Sequence, residues 1–110
     1  MKLKSWEHFE HRADIGIRGF GESPEEAFEQ WALAMMSFIT DVALIDVTDE
    51  IEISCAESDP ELLLVDWLNA IIYEMATRKM LFGRFEVTIK EGSLKGRIWG
   101  EPIDVARHHP

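Results

Sequence analysis

The stretch Phe85-Glu86-Val87-Thr88-Ile89-Lys90-Glu91-Gly92-Ser93-Leu94-Lys95-Gly96-Arg97-Ile98-Trp99 decides the fold. From Phe85 to Lys90 apolar and polar residues alternate, the period-2 pattern of a strand with one buried face. Glu91-Gly92 is a two-residue turn, and Ser93 to Trp99 alternates back through Leu94, Gly96 and Ile98. The result is an antiparallel hairpin. Upstream, Glu50-Ile51-Glu52-Ile53-Ser54-Cys55 alternates strictly and reads as a further half-buried strand.

Two helical segments flank that strand. The first starts at Ser23, with Pro24 in the first helical position and Glu26 completing Ser-x-x-Glu, a capping box. Glu25 and Glu26 suit the positive end of its dipole. Phe28, Trp31, Met35 and Phe38 or Ile39 form the expected core stripe, and the helix is expected to end near Thr40-Asp41. Met35-Met36 reads as core filling rather than a ligand patch. The second helix is capped by Ser58 or Asp59, begins at Pro60-Glu61 and ends at Arg78-Lys79. Leu64, Leu68, Ile71, Ile72 and Met75 line its expected buried face. Leu62, Leu63, Val65 and Trp67 widen it, so the helix is expected to be covered on most sides.

Near the N-terminus, Ser5–Glu10 with Trp6 and Phe9, then Ile15–Phe20, read as two strands joined by His11-Arg12-Ala13-Asp14. The order strand, strand, helix, strand, helix, strand, strand predicts an α+β two-layer sandwich: a mainly antiparallel sheet with two helices on one face. At 110 residues without a Pro/Gly/Ser linker, the chain reads as one domain.

The net charge is −10, and it is unevenly placed. Residues 21–77 hold 14 acidic side chains and no Lys or Arg. Such a block repels a phosphate backbone, because nucleic-acid affinity comes from cations that release condensed counterions. A cationic protein or a metal ion suits it better; a solvated acidic surface without a partner is the plain alternative. A single cysteine allows no intrachain disulfide, and Cys55 in its alternating run reads as a buried thiol. No apolar stretch approaches the ~20 residues that span a bilayer, and the first residues lack the apolar core of a signal peptide. A cytoplasmic protein is expected.

No phosphate-binding glycine loop, zinc spacing or recognisable Ser–His–Asp triad is present. Asp14, in a turn between strands, could offer a hard oxygen to Ca²⁺ or Mg²⁺, or bond its own turn's N–H groups. His11 could orient it or be an ordinary hydrogen-bonded histidine. Asp41, Asp46, Asp49, Glu50 and Glu52 lack EF-hand spacing and read as a solvated strand face and its approach. Asp66 and Asn69, neighbours on the second helix, must face solvent, a partner or each other. His108-His109, near the end of the sequence, is expected to be mobile.

Together these segments resemble the archease family. The resemblance is carried by His11-x-Ala13-Asp14-x-Gly16, Ser23-x-Glu25-Glu26-Ala27-Phe28 with Trp31, Leu63-Leu64-Val65-Asp66-Trp67-Leu68-Asn69-x-x-Ile72-Tyr73, and Leu81-Phe82 with Gly100-Glu101-Pro102 and His108. It implies a cytoplasmic protein that is not itself an enzyme. Such a protein activates the GTP-dependent tRNA-splicing ligase by promoting formation and turnover of its guanylylated histidine, in tRNA splicing and RNA repair. A chaperone-like role toward RNA-modifying enzymes is also implied. The family's divalent metal, expected to be Ca²⁺, is implied at Asp14, with His11 as its neighbour and a second acidic ligand near the family's C-terminus. The family pattern continues beyond its Gly-Glu…His segment with a strand bearing a lysine and Thr-Tyr, then acidic residues. Residues 1–110 are therefore expected to be a single domain without those strands, and with an incomplete metal site.

Three functions follow as expectations. In the first, the ligase is the partner, Glu25, Glu26 and Asp66 face it, and neither nucleic acid nor membrane is touched. In the second, the acidic middle is a chaperone-like module for basic RNA-processing proteins, without activating them. The third is a small metal-dependent hydrolase built on Asp14 and His11, which needs further ligands that the sequence does not identify.

Overall fold

The computed structural model describes residues 23–109. The expected strands Ser5–Glu10 and Ile15–Phe20, with His11 and Asp14 between them, lie outside the described residues. The described elements are α1 (Pro24–Ser37), a 3₁₀ turn (Val42–Leu44), β1 (Asp49–Ala56), α2 (Pro60–Arg78), β2 (Met80–Lys90), β3 (Ser93–Pro102) and α3 (Val105–His108). The strands form an antiparallel sheet in the order β1-β3-β2. Both long helices pack on one face, giving the α+β architecture the alternation predicts.

Local chemistry explains each boundary. The Ser23 side chain accepts the Glu26 N–H at 3.2 Å, closing α1 with Pro24 in its first turn. The Asp59 carboxylate accepts the Glu61 N–H at 2.9 Å and starts α2. In the hairpin turn Glu91 (φ 51°) and Gly92 (φ 80°) both take positive φ, the twist that two antiparallel strands require. Lys79 closes α2 in the left-handed region (φ 55°), a conformation that costs a residue carrying a Cβ.

The hairpin is longer than the alternating run predicts, because Met80, Leu81 and Phe82 also pair with β3. Their three successive buried residues do not alternate. Both faces of the strand are therefore covered at that end, and a bulge between Phe82 and Arg84 then shifts the side-chain phase, so that Phe82 and Phe85 both enter the core.

At the centre of the core is Trp67, fully buried. A Cβ on Gly96 would lie 2.3 Å from its ring, so the glycine is what lets α2 approach β3. The indole N–H donates to the Phe28 carbonyl at 3.1 Å, and the ring meets Phe85 edge-on, with centroids 6.2 Å apart.

Two packing expectations are corrected. In α1 Phe28, Ala32 and Met36 are buried and Trp31, Met35 and Ile39 pack half-buried against the core, so of the two ends offered for the stripe Ile39 holds and Phe38 is 77% exposed. Small Ala32 brings α1 close to the sheet, which leaves Trp31 and Met35 at the margin of the core and turns Phe38 outward. The helix also ends earlier than Thr40-Asp41. Asp41 instead caps the 3₁₀ turn, accepting the Ala43 N–H at 3.0 Å. In α2 Leu63, Leu64, Trp67 and Ile71 are buried and Leu68 and Met75 pack half-buried against the core, as expected of that face, whereas Ile72, with Leu62, Val65 and Tyr73, is exposed. The helix is covered on one side only, because three strands and α1 are what the described residues supply to pack on it. Among the described residues no helix is long and apolar enough to cross a membrane.

Candidate functional site

The most connected polar cluster among the described residues is built where β3 runs into α3. β3 carries Glu101 inward, to 8% exposure. Asp104 caps α3 by accepting the Ala106 N–H at 3.1 Å, and that turn swings Arg107 and His108 back toward Glu101. The Glu101 carboxylate accepts the Asp46 backbone N–H at 2.8 Å and pairs with the Arg107 guanidinium and the His108 ring. Arg107 also reaches the Asp46 carboxylate at 3.3 Å.

His108 is 1% exposed, so the expected mobile tail is instead a buried anchor. Its Nδ1 accepts the Asp104 N–H at 2.9 Å. The ring proton must then sit on Nε2, where it donates to Glu101 Oε2 at 2.8 Å. The His108 carbonyl accepts the Thr40 hydroxyl, which ties α3 to the end of α1. Three donors favour the ionised carboxylate. The Asp46 N–H, then Arg107, then His108 hold Glu101 down at about 2, from an ordinary value of 4.5. The same ion pair, led by the Glu101 hydrogen bond, raises Arg107. A carboxylate so occupied is a poor base; what it does is fix the path of the chain beyond β3.

A second carboxylate arrangement guards a sheet edge. Glu29 accepts the Val87 N–H at 2.8 Å, and Glu25 accepts the Ile89 N–H at 3.3 Å. Both reach from α1 to the side of β2 away from β3, which among the described residues is the sheet edge, where unpaired N–H groups would otherwise invite another strand. Burial raises the Glu29 carboxyl despite the Val87 N–H, which lowers it.

The sequence-predicted site residues thus separate. Asp14 and His11 lie outside the described residues. Glu25 is engaged at the sheet edge, while Glu26 and Asp66 are exposed on different helices. Asp66 and Asn69 both face outward on α2. Cys55 is half-buried, and burial, then Asp66, raises its thiol. Asp41, Asp46, Asp49, Glu50 and Glu52 are all exposed, in keeping with a solvated approach and strand face. Among the described residues no three His, Cys, Asp or Glu side chains converge to hold a metal, so they offer no complete metal site. Sequence reasoning missed Glu29, and it missed the pairing of Glu101 with Arg107 and His108. The Gly100-Glu101-Pro102…His108 spacing was the available signal.

Comparison with known proteins gives consistent matches. The Archease protein family (MTH1598/TM1083) matches residues 6–110. Protein archease of Pyrococcus furiosus is 42% identical over 112 aligned residues, which cover 98% of this chain and 79% of that protein. Protein archease of Sulfolobus acidocaldarius is 40% identical over 108 residues, covering 96% and 78%. The solution structure of Methanobacterium thermoautotrophicum protein 1598 superposes with a TM-score of 0.61 at 29% identity. That match covers 76% of this chain and 63% of the other.

Proposed function

We propose, because the chain belongs to the archease family, that it is a protein cofactor of the GTP-dependent tRNA-splicing ligase. It promotes guanylylation of the ligase and its multiple turnover in tRNA splicing and RNA repair, in the cytoplasm. It performs no bond chemistry of its own. The observation that carries this reading is the family match over residues 6–110.

The charge distribution supports it. An RNA-pathway protein with no Lys or Arg in residues 21–77 is suited to work on a basic enzyme rather than on RNA. In this reading Asp14 supplies a hard oxygen ligand for a divalent cation, Ca²⁺ in the first instance, with His11 beside it. Bound there, the cation would offer positive charge to phosphate oxygens. The Glu101–Arg107–His108 cluster holds the end of β3 rigid, and so sets the direction in which the chain leaves the sheet.

The experiment is ligase guanylylation and multiple-turnover joining, measured with and without this protein and with Asp14→Ala. Stimulation by the wild type and its loss in the variant are expected. Turnover unchanged by the wild type removes the activator role. The unbroken acidic block favours a second reading, a chaperone-like module for basic RNA-processing proteins. That reading predicts binding to the ligase without any change in guanylylation.

A further inference from the structure

We propose that the outer face of α2, continuous with the end of α1, docks a partner protein through an apolar surface rimmed by Lys or Arg. For the partner's identity, the ligase, this rests on the function proposed above.

With 3.6 residues per turn, Leu62, Val65, Ile72 and Tyr73 share one side of α2, with the exposed amide of Asn69 among them, opposite the side that buries Trp67 and Ile71. Their exposures are 51%, 50%, 47% and 64%. Single exposed apolar residues are ordinary, but four along one stripe are not. The stripe also continues sideways. Leu68, one turn from both Val65 and Ile72, lines an apolar hollow of about 210 Å³ together with Trp31, Met35 and Phe38 of α1 and its end. Phe38 stands 77% exposed at its margin. The patch therefore spans both helices.

Charge selects the occupant. Glu61 and Asp66 flank the stripe, Asp41 follows Phe38, and all three are exposed. No Lys or Arg occurs between residues 21 and 77 to offset them. The last turn of α1 has no basic residue of its own to set against the negative end of its dipole. A second copy of this chain would set acidic rim against acidic rim. A partner with a basic rim gains attraction there and is steered to it, while the apolar stripe supplies desolvation.

The test uses the whole chain and the purified ligase at low and high salt. Ile72→Ser/Tyr73→Ser is expected to weaken ligase binding at least tenfold at both salts, with an unchanged melting temperature. Asp66→Lys is expected to weaken binding at low salt, with the difference shrinking at high salt. Equal binding and equal guanylylation by wild type and the double variant overturn this docking face and leave the proposed function standing. No stimulation by the wild type overturns that function, and with it the partner named here. A wild-type dimer that the double variant dissociates assigns the stripe to a second copy. A lowered melting temperature with ligase binding intact assigns it to this chain's own residues 1–22. Either of these last two results overturns the proposal.

Discussion

Trp67 and Glu101 are both nearly sealed from water, but what seals them differs. Trp67 is enclosed by shape: a glycine beneath its ring, Phe85 at its edge, and one hydrogen bond for its only polar atom. Glu101 is enclosed by donors: a backbone N–H, a guanidinium and an imidazole. The first enclosure is insensitive to pH and intolerant of added volume. The second tolerates small changes of shape and fails when a proton neutralises the carboxylate. The helix–sheet core thus depends on packing, and the exit from β3 depends on charge and hydrogen bonding.

Each half of that comparison can be broken separately. Trp67→Ala leaves the largest cavity and should cost about 3–5 kcal/mol, read as a lowered midpoint in chemical denaturation. Gly96→Ala drives a methyl group into the indole ring and should cost about 1–3 kcal/mol by overpacking. Combined with Trp67→Ala it should cost less than the sum, since the clash is then gone. Replacing His108 by Ala leaves the Asp104 N–H without its acceptor and should cost about 1–3 kcal/mol. Limited proteolysis should then cut near residues 104–109 while the core remains protected.

The pH dependence sharpens the contrast. The folded value of Glu101 lies below its unfolded one, so its stabilisation is fully present above pH 4.5 and is lost as pH falls toward about 2. Glu101→Gln should flatten that acid limb, whereas Trp67→Ala should lower the whole stability curve without changing its acid slope. The smallest effect is expected at the β2 edge. Glu29→Gln keeps an oxygen for the Val87 N–H and removes a partly buried charge, so stability should stay within about 0.5 kcal/mol of wild type. Glu29→Ala should lose about 0.5–1.5 kcal/mol. A larger loss from the Gln variant would show that the β2 edge depends on charge, as the Glu101 cluster does.

Much of the architecture was legible because the signals were local. Alternation at 85–99 and 50–55, the Ser23 and Asp59 caps and the Glu91-Gly92 turn are each decided within a few residues. Which side of a helix is buried was not legible. α2 is apolar nearly all round, and no periodicity tells Leu64 from Ile72 when only one side meets the sheet. The Glu101 cluster was legible only as a spacing. Asp46 and Glu101 lie 55 residues apart, and the histidine that pairs with Glu101 looked like a loose end.

The two long helices, the three described strands and their order, the α+β class and the family were fixed by the amino-acid sequence, since propensity, capping and alternation act over short range and the family's motifs lie along the chain. Only the tertiary structure decided that Gly96 seats Trp67, that α1 closes the β2 edge with carboxylates, that α2 turns an apolar stripe outward, and that His108 is an anchor. Those outcomes depend on contacts between residues far apart in sequence, where shape and donor geometry choose among partners that are chemically equivalent in the unfolded chain.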